Sequence, residues 1–390
     1  MLGAIIGDIV GSRWEFNPTN EYNFKLFSDK NSYTDDTICT IAVADAILHG
    51  SDDYGEYIHK WCRKYPHPMG GYGGRFAKWV NSDNPKQYGS FGNGAAMRVS
   101  PIGWACRSRE EVLEAAKATA ECTHNHPEGI KGAQTAALAI YVANIGRRYN
   151  KQPSDTVKDV ITECVAFSGY NIDLRKEDVE NRFDETCIGT VPVALWVINQ
   201  SSSFEDAIRR AVSLGADADT LGAIVGSIAE AIWGIPEEMK IAALSYLDDG
   251  MKNVLREWRR SKRVKAIDIK TFTKKYIDYF LTKFDTESPS YYDLFDSPFF
   301  PDECWKLGFD MDCGHSFTSL YGGEAWRSVE GLSAVIDNIN DIKVVGSALF
   351  SQWRYFNHWS YSGATDNDKE WFLMLLNRLD YLTKNQNSKL

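Results

Sequence analysis

Two short acidic clusters contain the residues of this sequence best suited to chemistry. Thr34-Asp35-Asp36-Thr37 and Asp217-Ala218-Asp219-Thr220 each stand just ahead of an apolar run with helical spacing, which predicts that both lie at helix N-termini. Asp and Thr are favoured helix caps, so capping explains either cluster alone. If both face one cleft, carboxylates about 4 Å apart repel by roughly 1 to 4 kcal/mol per pair, and the folded site then needs cations.

The ligand chemistry indicates which cation such a site would take. Carboxylates and hydroxyls with no nearby His or Cys suit Mg²⁺ or Mn²⁺ better than Zn²⁺. The adjacent Asp35 and Asp36 point in different directions and can bridge two ions rather than chelate one. A two-metal hydrolytic site is the resulting hypothesis. The clusters alone do not define the bond that is cleaved and leave phosphate and nucleoside bonds open.

Four motifs in order resemble the ADP-ribosylglycohydrolase family, which includes ADP-ribosylarginine and ADP-ribosylserine hydrolases. They span roughly residues 1–250 and are Gly3-Ala4-Ile5-Ile6-Gly7-Asp8-Ile9-Val10-Gly11-Ser12 with Glu15, Thr34-Asp35-Asp36-Thr37, Gly92-Asn93-Gly94-Ala95-Ala96-Met97-Arg98, and Gly215-Ala216-Asp217-Ala218-Asp219-Thr220. The resemblance implies a compact, all-α, multi-helix domain that cleaves the glycosidic bond between ADP-ribose and an acceptor. The acceptor could be a protein side chain, a nucleic acid or a small molecule.

The resemblance also implies roles for individual residues. The ligands of two Mg²⁺ ions, with Mn²⁺ as an alternative, would be Thr34, Asp35, Asp36, Asp217, Asp219 and Thr220. Glu15 would lie near the scissile bond as general base or mobile gate. The metal-site aspartates, Asp35 and Asp36 among them, are the other candidates for the proton acceptor.

Further residues are expected to bind ADP-ribose. The resemblance assigns this role to Gly92, Asn93, Gly94 and Met97. It also brings His124 near a phosphate or ribose, although a satisfied, non-catalytic histidine is the alternative. A glycine-rich loop within 61–81 contains Tyr72 and Gly73, whose ring could stack on adenine and whose backbone could approach phosphate oxygens. A flexible surface loop is the alternative for that segment.

Helices must position these groups. Gly3, Gly7 and Gly11 recur every fourth residue, which predicts a first helix over 3–14 that another backbone approaches closely. The spacing predicts further helices at 128–150, 187–199 and 203–214, and one after Asp219 that stops at Gly234 and Pro236. Ser108 and Glu111 form a capping box, and Ser203 and Asp206 open the helix at 203–214. No alternating strand pattern occurs in the first 250 residues.

Composition limits the class of protein. The 390 residues have a net charge of −10 and a sequence pI near 5.3, so general nucleic-acid binding is not expected. The eight cysteines form no CxxC pair, which is typical of reduced thiols in the cytoplasm. No segment reaches the roughly 18 apolar residues of a membrane span. We expect a cytoplasmic monomer whose partner is ADP-ribose or an ADP-ribosylated substrate.

The last third of the chain differs from the rest. Basic residues concentrate in 256–275, which predicts a connector between a catalytic domain at 1–255 and a smaller, mainly helical domain at 276–390. Helices are expected at 328–339, 343–358 and 368–384. Six of the twelve tryptophans follow residue 257. This region could pack as a small domain or recognise a partner, and we assign it no chemistry.

A different class of function is a catalytically idle ADP-ribose sensor or structural protein on the same fold. The complete set of acidic ligands argues against it. Turnover would distinguish the two classes, because an idle protein would bind ADP-ribose without releasing it from an acceptor.

Overall fold

The computed structural model describes residues 1–106, 108–148, 151–262, 269–282, 320–359 and 365–386, together with 300, 303–304, 307, 309 and 317–318. All regular elements in the described part of the chain are helices. Outside them, Gly92 and Thr186 form an isolated antiparallel β-bridge. The all-α prediction is therefore confirmed. The chain divides into two compact units, Met1–Ser261 and Lys262–Leu390.

The helices of the first unit surround one hydrophobic core. In chain order they are α1 (Leu2–Ser12), α2 (Asp35–Leu48), α3 (Tyr54–Lys64), α4 (Gly74–Val80), α5 (Ser100–Ala105), α6 (Arg109–Glu121), α7 (Pro127–Arg148), α8 (Pro153–Ser168), α9 (Lys176–Val179), α10 (Cys187–Gln200), α11 (Phe204–Val212), α12 (Ala218–Trp233), α13 (Glu237–Tyr246) and α14 (Asp249–Lys262). A short 3-10 turn covers Asn93–Ala95.

Helix α1 is buried along its whole length and packs directly on α12. A Cβ atom at Gly7 would lie 1.8 Å from the carbonyl oxygen of Gly222, and one at Gly3 would lie 2.2 Å from that of Gly226. Gly11 meets the first turn of α12 in the same way. The predicted close approach of a second backbone to the glycine stripe is confirmed, and we call this contact the glycine seam.

The two acidic clusters lie at helix N-termini, as predicted, but only one of them caps its helix. Thr34 is the N-cap of α2, and its hydroxyl oxygen accepts a hydrogen bond from the backbone N–H of Asp36 at 3.2 Å. Asp217 is the N-cap of α12, yet its side chain makes no capping hydrogen bond. Capping therefore does not account for the second cluster.

The glycine-rich loop predicted within 61–81 is shorter than expected, because a helix covers its end. Helix α3 continues to Lys64, and α4 begins at Gly74, so irregular backbone is confined to the segment between them. Phe76, Trp79 and Val80 are buried at the i, i+3, i+4 spacing of a helix. Burial of this apolar stripe outweighs the local preference of the glycines for a loop.

Other predicted helices agree with the structure within a few residues, the usual uncertainty of helix ends. Both predicted helix starts have a serine cap: Ser108 accepts from the N–H of Glu111 at 3.1 Å, and Ser203 accepts from that of Asp206 at 3.1 Å. Helix α12 ends at Trp233, followed by Gly234 with φ 76°.

The second unit is also helical in its described part. Its helices are α15 (Ile269–Thr282), α16 (Gly323–Arg327), α17 (Val329–Val335), α18 (Ile342–Trp359) and α19 (Asp366–Gln386). Phe280 stacks on Phe372 with ring centroids 5.1 Å apart, within an aromatic core. Residues 263–268 of the basic segment lie outside the described residues. Within the described chain, no helix has both the length and the apolar composition needed to cross a membrane.

Candidate active site

Six carboxylates from separate parts of the sequence converge in the first unit. They belong to Asp8, Glu15, Asp35, Asp36, Asp217 and Asp219, and we call them the acidic cluster. The glycine seam brings α1 and α12 together, and α2 meets both of them. A cleft of about 370 Å³ opens onto all of these carboxylates except that of Asp8.

Asp8 ties α1 to the beginning of α2. Its Oδ1 accepts from the Thr34 hydroxyl at 2.8 Å, and its Oδ2 accepts from the backbone N–H groups of Thr34 and Thr37 at 3.0 and 3.1 Å. The Thr37 hydroxyl also donates to Asp8. These bonds satisfy free N–H groups of the first turn of α2. Asp8 thereby fixes Asp35 and Asp36 relative to α1.

Asp36 has one satisfied and one unsatisfied oxygen. Its Oδ2 accepts from the Thr220 hydroxyl of α12 at 3.1 Å, so the two acidic clusters of the sequence are in direct contact. Its Oδ1 is buried and has no hydrogen-bond partner. A buried carboxylate oxygen without a donor is costly unless a cation or proton occupies its lone pairs. This oxygen fits a bound cation.

Asp217 is oriented by an amide. The Nδ2 of Asn93 donates to Asp217 Oδ2 at 2.6 Å and to the Thr190 hydroxyl at 3.0 Å, and the Asn93 backbone N–H donates to the Glu185 carbonyl at 2.7 Å. The Asn93 amide therefore holds Asp217 in place, and its role in binding ADP-ribose stays a prediction.

Glu15 lies with Asp217 and Asp219: one carboxylate oxygen of each falls within 4.8 Å of the others, close enough to hold one metal ion. Asp217, Asp36 and Glu15 all raise the pKa of the Asp219 carboxyl, after the larger effect of its burial. Gly70, at φ 76°, packs against Glu15, since a Cβ there would lie 2.6 Å from Glu15 Oε2. Carboxylates this close repel one another unless a proton or a cation lies between them.

Electrostatics shows why the cluster favours cations. Burial, reinforced by the neighbouring carboxylates, raises the pKa of Glu15 to about 7 and that of Asp35 to about 8. The Asp35 side chain reaches the cleft, but the surrounding protein excludes most of the water from around its carboxyl group. The pKa values of Asp36 and Asp219 are raised well above the ordinary range, first by burial. Among the described residues, no Lys or Arg forms an ion pair with the cluster. Divalent cations would displace its protons.

The other walls of the cleft contain the predicted substrate residues. Gly92, Asn93, Gly94, Met97, Tyr72, Gly73 and His124 all line it. The Tyr72 hydroxyl donates to the Tyr65 carbonyl at 2.6 Å, which fixes the ring. Of the predicted ligands, Asp35, Asp36, Asp217, Asp219 and Thr220 line the cleft. Thr34 does not, because it lies beneath them with its hydroxyl bonded to Asp8.

The structure adds residues that the sequence did not single out. Asp8 is one of them, and the others line the cleft: Phe16, Gly70, Arg75, Tyr88, Ser90, Arg98 and Glu185. A lone carboxylate between the isoleucines of a buried helix is a signal for a functional aspartate, so Asp8 could have been found. The others lie mostly in loops, whose partners depend on the tertiary fold.

A second cavity, of about 400 Å³, lies beside the cleft and shares only Asp217 with it. Its walls are mainly apolar, with Tyr170, Leu174 and Val193 among them. Asp178 and Asp184 also line it, but among the described residues the group able to hold a metal ion is that of Glu15, Asp217 and Asp219, so the cleft at the acidic cluster is the candidate active site.

The chain is similar to known proteins of one family. A protein-family model described as ADP-ribosylglycohydrolase matches residues 1–267. The ADP-ribosylarginine hydrolase Tri1 of Pseudomonas putida (strain GB-1) is 25% identical over 264 residues, covering 60% of this chain and 70% of that protein. The ADP-ribosylhydrolase ARH3 of Homo sapiens is 25% identical over 320 residues, covering 63% and 88%. A solved structure described as an ADP-ribosylglycohydrolase-related protein complex has the same fold, with TM-score 0.50, 23% identity and coverage of 66% and 95%.

Proposed function

Because the chain belongs to the ADP-ribosylglycohydrolase family and is therefore a hydrolase of ADP-ribose linkages, we propose that the acidic cluster is its catalytic centre and holds two Mg²⁺ ions. The observation that carries this proposal is the unpartnered, buried Oδ1 of Asp36 within a set of oxygen ligands. Mg²⁺ prefers such ligands, and Mn²⁺ could replace it. Asp35, Asp36, Asp217, Asp219 and Thr220 would hold the ions.

The remaining walls of the cleft suit the rest of ADP-ribose. Arg98 and Arg75 give them positive charge, and Arg98 has no carboxylate partner among the described residues. A diphosphate is favoured near such charges, and the backbone of Gly92 and Gly94 permits close approach. Tyr72 offers a ring for the base. We propose that ADP-ribose lies with its distal ribose at the acidic cluster.

Cleavage at the anomeric carbon passes through an oxocarbenium-like state, which requires a held ribose and a water delivered to its free face. When bound, Mg²⁺ would supply Lewis-acid chemistry that orients ribose hydroxyls and acidifies water. Glu15, whose pKa is about 7, is suited to accept the proton of that water near neutral pH. Asn93 holds Asp217 in place, and Gly70 leaves room for the Glu15 carboxylate.

A panel of linkages tests the proposed function. Purified protein is freed of metal with a chelator, and ADP-ribose release is measured from arginine, serine, nucleobase and small-molecule conjugates with and without Mg²⁺. We expect release from at least one linkage only when Mg²⁺ or Mn²⁺ is added back. Asp35→Asn should abolish release, whereas Asp52→Asn, which removes an exposed carboxylate, should not. Full activity in chelator would contradict the proposal.

The thiols of the protein bear on the compartment in which it acts. All seven cysteines that the structure describes are free thiols, which suits the reducing cytoplasm. We propose that the protein acts there as a monomer, since every carboxylate of the acidic cluster comes from one chain. Its partner would be an ADP-ribosylated molecule.

A further inference from the structure

Arg98 is a fully buried cation, and its charge alone does not explain the hydrogen bonds that it makes. Its Nη2 donates to the Thr119 carbonyl at 2.7 Å and to the Thr123 hydroxyl oxygen at 2.8 Å, while its Nε has no partner. Thr119 lies in the last turn of α6, where free carbonyls and the helix dipole favour a positive charge. The helix end thus stabilises the guanidinium without a carboxylate, and one N–H remains directed at Thr123.

Thr123, which accepts the hydrogen bond from Arg98, is also hydrogen-bonded to His124. The Thr123 hydroxyl oxygen lies 2.7 Å from His124 Nδ1, and Thr123 is completely buried. Since this oxygen already accepts from Arg98, its own proton is free to be donated. The alternative acceptor is the Cys122 sulfur at 3.9 Å, which is a weak one. The Thr123 hydroxyl therefore donates to Nδ1, which requires that Nδ1 be unprotonated.

An unprotonated Nδ1 leaves the proton of a neutral imidazole on Nε2. His124 lines the cleft, and its Nε2 packs against Gly94: a Cβ added at Gly94 would lie 3.3 Å from this nitrogen. Among the described residues, Nε2 has no hydrogen-bond partner. Burial, with the positive charges of Arg98 and Arg75, also lowers the pKa of His124 well below its ordinary value, so the ring stays neutral.

We infer that Arg98 and Thr123 act as positioning residues that hold His124 as the Nε2–H tautomer, so that this N–H donates to an anionic oxygen in the cleft. This part of the inference rests on the proposed function: the anionic oxygen belongs to the diphosphate group of ADP-ribose. The same tautomer prevents His124 from serving as a metal ligand through Nε2, because no lone pair faces the cleft.

The tautomer is measured first, in the ligand-free, full-length protein. Long-range ¹H–¹⁵N spectra of ¹⁵N-histidine-labelled protein distinguish the two neutral tautomers, and a His124→Gln variant identifies the signal among the seven histidines. We expect the proton on Nε2. A proton on Nδ1 would overturn the inference whether or not the protein binds ADP-ribose.

The second measurement is a double-mutant cycle on the Kd of ADP-ribose in saturating Mg²⁺. Thr123→Val removes the hydroxyl at nearly constant shape and should weaken binding about fivefold and disturb the tautomer signal. Thr123→Ser should restore both. In a His124→Ala background, Thr123→Val should have no further effect on binding, because it acts through the imidazole.

The control is Thr135→Val, which removes another fully buried hydroxyl, bonded to the Lys131 carbonyl at 2.7 Å on α7. It should leave the His124 signal and the Kd unchanged. Additive effects of the Thr123 and His124 substitutions would refute the positioning role. If wild-type protein shows the Nε2–H tautomer but binds no ADP-ribose, the proposed function fails while the assignment of the tautomer stands.

Discussion

Replacing Gly7 by Ala should destabilise the first unit, although alanine is the better helix former. A Cβ at this position would lie 1.8 Å from the Gly222 carbonyl oxygen, and real Cβ atoms essentially never come within 3.0 Å of another heavy atom. Helices α1 and α12 must therefore separate by at least about 1.2 Å, because the opposing atoms are backbone and cannot rotate away.

Two free-energy terms set the size of the effect. Alanine is favoured over glycine within a helix by about 1 kcal/mol. Overpacking a core costs about 1 to 3 kcal/mol, and a contact between two backbones belongs at or above the upper end. The net loss in free energy of unfolding is then about 2 kcal/mol. For a unit of this size, that loss should lower the melting temperature by roughly 4 to 8 °C.

The same shift should weaken metal binding. Helix α1 carries Asp8, which holds the N-terminus of α2, and α12 carries Asp219. Metal–ligand distances tolerate deviations of only about 0.2 Å. We therefore expect the affinity for Mg²⁺ to fall about tenfold or more.

Thermal unfolding followed by circular dichroism, with and without Mg²⁺, measures both effects. The matched control is Gly250→Ala in α14, where the nearest atom to a new Cβ is the flexible tip of Lys64 at 2.8 Å. This control should be as stable as wild type or slightly more so. An unchanged melting temperature for Gly7→Ala would refute the reasoning, because the glycine seam could then accept a side chain.

Three further predictions concern the acidic cluster and the unit boundary. Without divalent cations, the melting temperature should fall as the pH rises from about 5 to 8, because Glu15 and Asp35 have raised pKa values in the folded state and must ionise while buried. Mg²⁺ should remove most of this fall, and a flat profile in chelator would contradict the pKa shifts. Glu15→Gln should slow turnover by about 10²- to 10⁴-fold with Mg²⁺ affinity nearly unchanged, whereas a tenfold loss of Mg²⁺ affinity would make Glu15 a ligand instead of the base. A chain ending at residue 262 should fold and cleave small ADP-ribosylated compounds. A chain ending at residue 255 should aggregate, because loss of the buried Trp258 exposes the apolar surface that it covers. A 1–262 chain that folds and binds Mg²⁺ but is inactive would show that the second unit is needed for activity.

The features of the fold that sequence could predict are those encoded within one helix turn or two. The four-residue spacing of Gly3, Gly7 and Gly11 predicts a backbone contact, and the helix N-termini at Asp35 and Asp217 follow from caps and apolar periodicity. These signals need no knowledge of the partner. The helix at Gly74–Val80 was missed because its glycine-rich beginning hid an apolar stripe of only three residues.

The site was less predictable wherever a side chain acts through a distant neighbour. The resemblance assigns Asn93 to ADP-ribose, but the sequence does not show that its amide bonds to Asp217, 124 residues away. Arg98 belongs to a motif of the sequence, but its contact with the end of α6 could not be read from that motif. Such pairings depend on how helices pack, and local periodicity carries no information about them.

The glycine seam also limits how this protein can evolve. When two side chains pack together, growth of one can be balanced by shrinkage of the other, and such pairs change in concert. Gly7 and Gly222 have no side chain to give up, so no replacement at one position can compensate for a larger residue at the other. A substitution there could be rescued only by changes that move a whole helix. These positions should therefore stay invariant without co-varying, which would make them resemble catalytic residues in an alignment although their role is to let two backbones touch.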